Sequence, residues 1–551
     1  MNDALTQIVT RPGRAATSQR EQADPRQVPN WAGGWTFQVP GEARILRFLT
    51  IGTEGGTFYA SERKLTKANA NVVLTWARER PEQLAELAAQ VSESGRAPRN
   101  NAAIFAVVAA MSLGNTTEGR QAAAARFSRV VRIGTHLFIA AGYLEQFRGW
   151  GRGARRAFAS WYTERDADAL AYQLIKYRHR YDWTHRDVLR SAHSTKVLDS
   201  TAPGAVLDWL CGRAPRGEVP GLIGAYERAR EIERMSVAPP THSRTGARLD
   251  KGSMYAQLVR DNPGLPWEAL PDEATSTAEV WRALIENGLP ATALLRNLPR
   301  MTRLGVLAPM SEHLAMVTAR LTDAEVLRRG RIHPVAILIA LKTYVTGRSE
   351  KGDSTWTPVP QVAAALNDAF YLSFGTVEPA GKRTMIALDV SGSMNSATAG
   401  YNLRCSEVTA AMSLVVMKTE PSWGVYGFNQ GIKPLNLSPH MALEDVARRV
   451  AGLTYGGTDC ALPMLWAAKN RMEVDTFTTY TDNETWAGSV HPHEALAAYR
   501  QQTGIAARHQ VIAITPTDFT IADPDDPGTL DVSGFDAAVA RLLADHARGD
   551  V

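Results

Sequence analysis

The sequence predicts two successive architectures, a long all-helical region followed by a doubly wound α/β domain. Residues from about 30 to 360 contain many helix-like segments and few strand-like runs, whereas strand and helix candidates alternate from Thr384 onward. The segment GRSEKGDSTWTPVP, rich in Gly, Ser and Pro, separates the helical region from the region of alternating strands and helices. We therefore expect a flexible tail over residues 1–25, a helical domain over 26–360 and an α/β domain over 361–551.

The helical region shows start and stop signals typical of short amphipathic helices. In PEQLAELAAQVSESG, Pro81 suits a first helical position, Leu84, Leu87 and Val91 share one face, and Gly95 suits the end. HPVAILIALKTYVTG has the same organisation. So long an all-helical region predicts stacked helix pairs of the HEAT or armadillo kind, although no repeat is visible by direct self-similarity.

The second region reads as strands joined by helices. The strand candidates are TMIALDV, WGVYGFN, TFTTYTD and HQVIAITPTD, and the helix candidates between them include CSEVTAAMSLVVMK, CALPMLWAAKNRM and HEALAAYRQQ. Because parallel strands need crossover helices, this alternation predicts a parallel sheet with helices on both faces.

Hard oxygen ligands follow the first of these strands. TMIALDV carries Asp389 near its end, and Ser391 and Ser393 come directly after it. Thr458 follows a Gly pair, and Asp482 ends a second β-rich run. Since ligands of open α/β sheets bind beyond the carboxyl ends of the strands, these segments predict a site for a hard cation such as Mg²⁺, Mn²⁺ or Ca²⁺. Taken alone, Asp-x-Ser-x-Ser could equally be an ordinary turn.

Composition favours a folded, soluble, cytoplasmic protein. The 551 residues include 44% hydrophobic and 21% charged residues, which argues against disorder. Three widely spaced cysteines predict neither a disulfide framework nor a zinc site. No apolar run reaches the length of a membrane helix, and the first residues lack the apolar core of a secretion signal.

Charge is distributed unevenly between the two regions. Residues 381–551 carry 13 basic and 19 acidic side chains, whereas residues 1–380 carry 48 basic and 37 acidic ones, a net charge of +11. Such asymmetry predicts that the helical region meets a polyanion and that the acidic region suits a cation.

Two segments concentrate basic and aromatic residues, FRGWGRGARRAFASWY and LIKYRHRYDWTHRDVLRSAHS. In the second, we expect Lys176 and Arg180 to lie four residues apart on one helical face, with His185 and Arg186 on the next helix. Guanidinium groups bind phosphates and aromatic rings stack on unpaired bases, so the mixture favours RNA. The alternative is a charged face that contacts only water.

Several long motifs, in order, resemble one known family. They include WAGGWTF, THLF, KYRHRYDWTHRDVLRSAH, ALLRNLPRMTRLGV, IHPVAIL, DVSGSM, GGTDCALPMLWA and YTDNETWAGSVHPHEALAAYR. From about residue 30 to the C-terminus, the chain resembles the sixty-kilodalton Ro ribonucleoproteins, which combine a TROVE domain with a C-terminal von Willebrand A domain. This resemblance implies a ring of HEAT-like helical repeats with a basic central hole, closed by the A domain.

The resemblance also implies function. The family binds Y RNA on the outer surface of the ring and takes single-stranded 3′ ends of misfolded or immature noncoding RNAs into the hole, in RNA quality control and processing. Bacterial relatives can be tethered by Y RNA to the exoribonuclease polynucleotide phosphorylase. By motif, the metal-ion-dependent adhesion site comprises Asp389, Ser391, Ser393, Thr458 and Asp482. His185 falls in the segment implicated in Y RNA binding, whereas Lys176, Arg180 and Arg186 rest on charge and spacing.

We therefore expect a monomeric, non-enzymatic RNA-binding scaffold that holds a divalent cation, most simply Mg²⁺. One competing function is a protein-adhesion module in which a partner's acidic side chain completes the coordination of the metal. Another is a metal-dependent nuclease, but two-metal phosphoryl chemistry usually needs several clustered carboxylates. Here two aspartates, two serines and a threonine supply one site, with no obvious general base.

Overall fold

Helices make up most of the first 372 residues, as the sequence predicts. The structure is a computed structural model that describes residues 16–52, 62–147, 149–192, 203–235, 250–349, 352–375, 377–397, 403–453 and 456–551, with only the backbone of residues 62–70. The helices described before residue 373 are α1 Gly41–Ile51, α2 Glu62–Glu79, α3 Pro81–Ser94, α4 Asn101–Leu113, α5 Thr117–Ala125, α6 Phe127–Val130, α7 Gly134–Phe147, α8 Arg152–Thr163, α9 Ala167–Lys176, α10 His185–Ser191, α11 Gly204–Leu210, α12 Gly221–Arg234, α13 Lys251–Asp261, α14 Asp272–Thr275, α15 Ala278–Glu286, α16 Ala291–Arg303, α17 Glu312–Leu321, α18 Ala324–Arg329, α19 Pro334–Val345 and α20 Pro360–Leu372.

Successive helices pack against one another in the manner of a helical-repeat solenoid. The helix α4 is apolar on nearly all sides and is buried among α2, α3, α5 and α7. Contacts then pass from α7 to α9, from α9 to α12, and through α13, α15 and α17 to α20. Each helix pair therefore buries its apolar face against its neighbours, which is the physical basis of repeat proteins.

The solenoid closes into a ring within one chain. His333, the N-cap of α19, accepts a hydrogen bond at Nδ1 from the Val335 amide, so its Nε2–H donates to the carbonyl of Arg96, 3.3 Å away. Arg96 directly follows the glycine that ends α3 in a left-handed conformation. The beginning and the end of the helical region thus meet, and this confirms the HEAT-like ring. No helix among the described residues is both long and apolar enough to cross a bilayer.

The second region is a doubly wound α/β domain, as predicted. Its strands are β5 Arg383–Asp389, β6 Ser422–Phe428, β7 Ile432–Pro434, β8 Thr476–Thr481, β9 Arg508–Ala513, β10 Phe519–Thr520 and β11 Thr529–Ser533. Its helices are α21 Cys405–Thr419, α22 Leu443–Ala451, α23 Leu462–Lys469, α24 Pro492–Thr503 and α25 Ala537–Arg548. The sheet order is β11-β9-β8-β5-β6-β7, with only the edge strand β7 antiparallel.

Both faces of this sheet are covered, so nearly every residue of its central strands β5 and β8 is buried. In β5, Ile386 and Leu388 pack into the core on the side of α21, whereas Met385 and Ala387 pack into the core on the side of α23 and α24. The chain leaves β5 toward β6 and later returns to pair β8 with the other edge of β5. The carboxyl ends of β5 and β8 therefore flank the point where strand order reverses, the usual ligand crevice of such sheets.

Two expected boundaries differ from the observed ones. Residues 16–25, part of the predicted flexible tail, lie against the α/β domain, and β1 Gln27–Pro29 and β2 Trp35–Gln38 form a small antiparallel sheet with β10. Residues 1–15 lie outside the described residues. At the other boundary, α20 packs on α17 and α19, so the helical part extends to residue 372 rather than 360. Both differences arise from long-range packing that local patterns do not reveal.

Candidate metal centre and candidate RNA-binding surfaces

The candidate metal centre is built at the carboxyl ends of β5 and β8. Asp389, the last residue of β5, accepts hydrogen bonds from the Ser391 amide (2.9 Å) and from the Thr481 hydroxyl (2.7 Å). The Oγ atoms of Ser391 and Ser393 are 2.9 Å apart. Ser393 also hydrogen-bonds to Asp482, the residue that follows β8. Two adjacent parallel strands thus deliver both carboxylates to one crevice.

A third loop brings Thr458 to the same crevice. The Gly392 amide donates to the Gly456 carbonyl (3.1 Å), which joins the loop after β5 to the loop that carries Thr458. The Thr458 side chain is fully buried, and its Oγ1 has no hydrogen-bond partner among the described residues. A buried hydroxyl oxygen without a partner is costly unless it serves a ligand. The structure therefore brings all five predicted ligand positions together.

Two buried carboxylates lie close together in this crevice. Burial and the neighbouring charge of Asp482 raise the pKa of Asp389, and burial raises the pKa of Asp482. In the described part of the chain, no lysine or arginine is among the groups that shift either pKa. Two buried carboxylates with three hydroxyl oxygens match the ligand preference of Mg²⁺ or Ca²⁺, so the residues fit a divalent cation.

Several other residues around the candidate metal centre were not predicted from the sequence. Thr481 orients Asp389, and Asp459 accepts a hydrogen bond from the side chain of Gln19 (2.7 Å). Glu484 is buried, and its carboxylate accepts the amide of Ala32 (3.0 Å). Thr481 and Glu484 flank Asp482 in TYTDNETW and could have been noticed by proximity. Gln19 carries no comparable local signal.

His185 lies inside the helical ring domain. It is the first residue of α10, and its Nδ1 is 3.0 Å from the hydroxyl of Tyr162. Its imidazole packs against Phe138 and stacks on Trp161, and burial lowers its pKa to about 3. In this conformation the ring does not reach solvent. An RNA contact by His185 stays a prediction, and its observed contacts are those of a core histidine.

Lys176 and Arg180 do not share a helical face, contrary to expectation. The helix α9 ends at Lys176, and Arg180 lies in a hairpin formed by β3 His179–Arg180 and β4 Trp183–Thr184. Tyr181 and Asp182 at its tip have positive φ angles (52° and 60°), as a two-residue type I′ turn requires. Helical spacing failed here because the helix ends at Lys176, where Tyr177 leaves the helical conformation (φ −117°, ψ 50°).

Lys176 also differs from Arg180 and Arg186 in how much of its side chain is exposed. Lys176 is 12% exposed, and its Nζ donates to the Tyr172 hydroxyl (3.0 Å) and lies 3.9 Å from Glu268. Arg180 and Arg186 are exposed, as expected of phosphate ligands. Tyr181, 62% exposed, projects from the hairpin tip beside Arg180.

One surface unites the two basic segments found in the sequence. Trp150, just before α8, and Trp183 of the hairpin have ring centroids 6.0 Å apart. This contact places the arginines at the start of α8 beside the hairpin tip. We call this set the α8–hairpin surface; its residues are Arg152, Arg155, Arg156, Arg178, His179, Arg180 and Tyr181. Arg152 and Arg156 are exposed, although a helix N-terminus disfavours positive charge.

A second group of arginines escaped the sequence interpretation. Arg296, Arg300 and Arg303 lie on one face of α16, at i, i+4 and i+7 spacing. Arg300 donates to the Thr275 hydroxyl (3.2 Å) and Arg303 to the Ser354 hydroxyl (2.7 Å), so these two contact neutral groups. Arg296 is near Tyr177, because its positive charge, like that of Lys176, lowers the pKa of the Tyr177 hydroxyl. Burial raises that pKa by more, so the net shift is upward. We call Arg296, Arg300 and Arg303 the α16 ladder.

The chain matches two family models that together cover most of its length. The TROVE domain model matches residues 28–217 and 261–343, and the Ro60 vWA domain model matches residues 383–547. The RNA-binding protein RO60 of Deinococcus radiodurans is 41% identical over 544 residues, 97% of each chain. The protein of the same name from Caenorhabditis elegans is 33% identical over 593 residues, 97% of this chain and 92% of that one.

A solved structure agrees with these relatives. The crystal structure of the Deinococcus radiodurans RO (RSR) protein superimposes with a TM-score of 0.65 at 37% identity, covering 93% of this chain and 100% of that one. The two relatives are named as RNA-binding proteins and not as enzymes, in agreement with the expected non-enzymatic role. The combined helical ring and A domain, together with this identity over nearly the whole length, show that the chain belongs to the Ro60 family.

Proposed function

We propose that this chain is an RNA-binding scaffold that binds Y RNA on its outer surface and single-stranded 3′ ends of misfolded or immature noncoding RNAs in a basic central hole. It would act in RNA quality control and processing in the cytoplasm, as a monomer, because the ring closes within one chain. The observation that carries the proposal is the α8–hairpin surface, where exposed arginines of α8 and of the hairpin are brought together with the exposed Tyr181.

The chemistry of this surface suits RNA. Arginines bind phosphates through paired N–H donors, and an exposed aromatic ring stacks on an unpaired base of any identity. Arg178 is itself held in place, because it donates to the Tyr226 hydroxyl (2.8 Å) and lies over that ring. A preordered cation loses less side-chain entropy on binding, which favours affinity.

The α16 ladder supports the second RNA element, the single-stranded 3′ end. Three guanidinium groups at successive turns of one helix, with Lys176 and Tyr177 nearby, provide a linear run of phosphate ligands beside an aromatic residue. Such an arrangement follows a flexible backbone and reads little sequence. We propose that these residues contact the single-stranded extension.

The metal centre is proposed to hold Mg²⁺ through Asp389, Ser391, Ser393, Thr458 and Asp482, some directly and some through water. When bound, the ion would supply a positive centre able to accept an acidic side chain of a partner protein, so adhesion and RNA binding can coexist. An exoribonuclease such as polynucleotide phosphorylase, tethered through Y RNA, is the partner that we propose.

A nuclease is not favoured. Among the described residues, no three or more His, Cys, Asp or Glu side chains are clustered so that they could bind a metal ion together. Two-metal phosphoryl transfer uses such clusters to bridge the attacking and leaving oxygens. We therefore assign no catalytic residue.

The proposal is tested by titrating a labelled structured RNA with and without a single-stranded 3′ extension. We expect both to bind, the extended RNA more tightly, with affinity that falls steeply as salt rises because counterions are released from phosphates. Weak binding of both RNAs at low salt would overturn the proposal. Sequencing RNA crosslinked to the protein in cells would then identify the natural ligands.

A further inference from the structure

An N-terminal segment covers the loops that form the metal centre. We call residues 16–39 the N-terminal strap. Its strand β2 pairs with β10 of the α/β domain, and its Asn30 side chain donates to the Thr485 carbonyl (2.7 Å). At Gly34 a Cβ atom would lie 1.9 Å from that same carbonyl oxygen, so the strap approaches the loop more closely than any side chain allows. The strap is thus fitted to this loop.

Gln19 of the strap is fully buried, and its carboxamide makes four hydrogen bonds. Its Nε2 donates to Asp459 Oδ1 (2.7 Å) and to the Val490 carbonyl (2.8 Å). Its Oε1 accepts from the Thr485 hydroxyl (2.6 Å) and from the Gly488 amide (3.2 Å). Two donor hydrogens and two acceptor lone pairs are the full capacity of a carboxamide, so Gln19 is completely satisfied in this position.

These partners belong to the two loops that supply metal ligands. Asp459 directly follows Thr458, whereas Thr485 and Gly488 lie in the loop that begins at Asp482. The two loops also touch each other, because the amides of Trp486 and Ala487 donate to the Thr458 carbonyl (3.0 and 2.9 Å). Gln19 therefore bridges the loop of Thr458 and the loop of Asp482 from outside the centre.

We propose that Gln19 is a positioning residue of the metal centre, holding the Thr458 and Asp482 loops at the spacing that the cation requires. This inference rests on the proposed cation site. Outer groups that orient ligands typically contribute 10- to 100-fold to metal affinity. Gln19 acts through the loops and does not itself ligate the metal.

Linkage makes this relationship reciprocal. If docking of the strap raises metal affinity, bound metal stabilises the docked strap by the same free energy. Arg20, next to Gln19, lies over the ring of Trp486 (4.8 Å) and adds a second contact to the same loop. Metal should therefore slow amide exchange in the strap as well as in the loops.

The test uses the full chain and Mn²⁺ as the probe, with free Mn²⁺ measured by electron paramagnetic resonance. Asp389→Ala gives the background from other sites. We expect Gln19→Ala to weaken Mn²⁺ binding by about ten-fold or more. The control Gln38→Ala, an exposed position in β2 of the same strap, should bind as the wild type does.

A second pair of variants separates positioning from general damage to the fold. Gln19→Glu places a carboxylate against the Asp459 carboxylate, and this contact should weaken Mn²⁺ binding. In the double variant that combines Gln19→Glu with Asp459→Asn, the introduced amide can donate a hydrogen bond to the introduced carboxylate, so part of the Mn²⁺ affinity should be recovered. Hydrogen exchange over residues 456–460 and 484–490 should rise in Gln19→Ala and return toward wild type in the double variant.

The outcomes distinguish the two proposals. Wild-type affinity in Gln19→Ala, or unchanged exchange in both loops, overturns the positioning role and leaves the cation site intact. A wild-type chain that binds no more Mn²⁺ than Asp389→Ala overturns the cation site, and the positioning role with it. Equal weakening by Gln19→Ala and Gln38→Ala also overturns the specific role of Gln19.

Discussion

Arg47 of α1 and Asp531 of β11 form an ion pair that joins the helical ring to the α/β domain. Arg47 Nη2 lies 2.5 and 2.6 Å from the two carboxylate oxygens. Its Nη1 also donates to the carbonyls of Thr517 (2.8 Å) and Phe519 (3.0 Å). The Arg47 side chain is 2% exposed, so this ion pair lies buried at the junction, where Thr50 of the same helix also hydrogen-bonds to Ser533 (3.2 Å).

Replacing Arg47 should therefore be strongly destabilising. Arg47→Ala removes the charged partner of the Asp531 carboxylate, which retains the hydrogen bond from the Thr520 hydroxyl (2.9 Å), and it removes a donor to two carbonyls. We expect a loss of about 3 to 5 kcal/mol in the free energy of unfolding. Urea denaturation followed by tryptophan fluorescence measures this change. Arg448→Ala, which breaks an exposed pair on α22, should change little, and equal effects of the two variants would contradict the prediction.

Magnesium should stabilise the fold through the metal centre. At 100 times its dissociation constant, a ligand that binds only the folded state adds about 2.7 kcal/mol. We expect Mg²⁺ to raise the melting temperature and a chelator to reverse the shift. Asp389→Ala should abolish the response, whereas Asp550→Asn, which removes an exposed carboxylate near the C-terminus, should keep it. A response retained by Asp389→Ala would place the stabilising ion elsewhere.

The α8 arginines should set affinity for structured RNA. Arg152→Ala with Arg156→Ala removes two phosphate ligands, so the slope of log affinity against log salt should fall in magnitude by about 1.4 to 1.8. Filter binding of a structured RNA at several salt concentrations measures the slope. The matched control, Arg328→Ala with Arg329→Ala, removes two arginines paired with Glu325 on α18. An unchanged slope in the α8 variant would argue against this surface.

The α16 ladder should act on the single-stranded extension instead. In Arg296→Ala with Arg303→Ala, the advantage of an RNA with a 3′ extension over one without it should decrease, because phosphate ligands along the extension are lost. The α8 double variant should retain that advantage while binding both RNAs more weakly. The reverse pattern would exchange the roles of the two surfaces.

The buried histidine His185 should make the fold sensitive to acid. Burial lowers its pKa to about 3, whereas the ordinary pKa of histidine is near 6.5. Between these two pH values the imidazole is protonated in the unfolded chain and neutral in the folded chain. Its contribution to stability is present above pH 6.5 and is lost as the pH falls toward 3, by up to about 1.4 kcal/mol per pH unit.

A comparison of variants isolates this histidine from other buried groups. We expect the difference in unfolding free energy between the wild type and His185→Asn to narrow as the pH is lowered from 7.5 to 5. His440→Asn, at an exposed position, should run parallel to the wild type. A pH-independent difference for His185→Asn would mean that the imidazole is not buried and neutral.

Short stretches of sequence predicted correctly those features that depend on neighbouring residues alone, such as the ends of strands and helices. The run TMIALDV, followed by Ser-x-Ser, predicted a buried strand ending in oxygen ligands, and β5 ends at Asp389. Pro81 and Gly95 marked the ends of α3 correctly. The same reasoning failed at Arg180, because the helix ends at Lys176 and Arg180 instead pairs with Trp183 in a β-hairpin.

The sequence by itself determined the two architectures, the family and the five residues of the candidate metal centre, because periodicity and contiguous motifs record short-range constraints. Only the tertiary structure decided that His185 is enclosed by Phe138, Trp161 and Tyr162, and that Gln19 bridges two loops more than 430 residues away. It also assembled the α8–hairpin surface through the contact of Trp150 with Trp183. Burial and long-range hydrogen bonding depend on which distant segments meet, and no local pattern of residues encodes that.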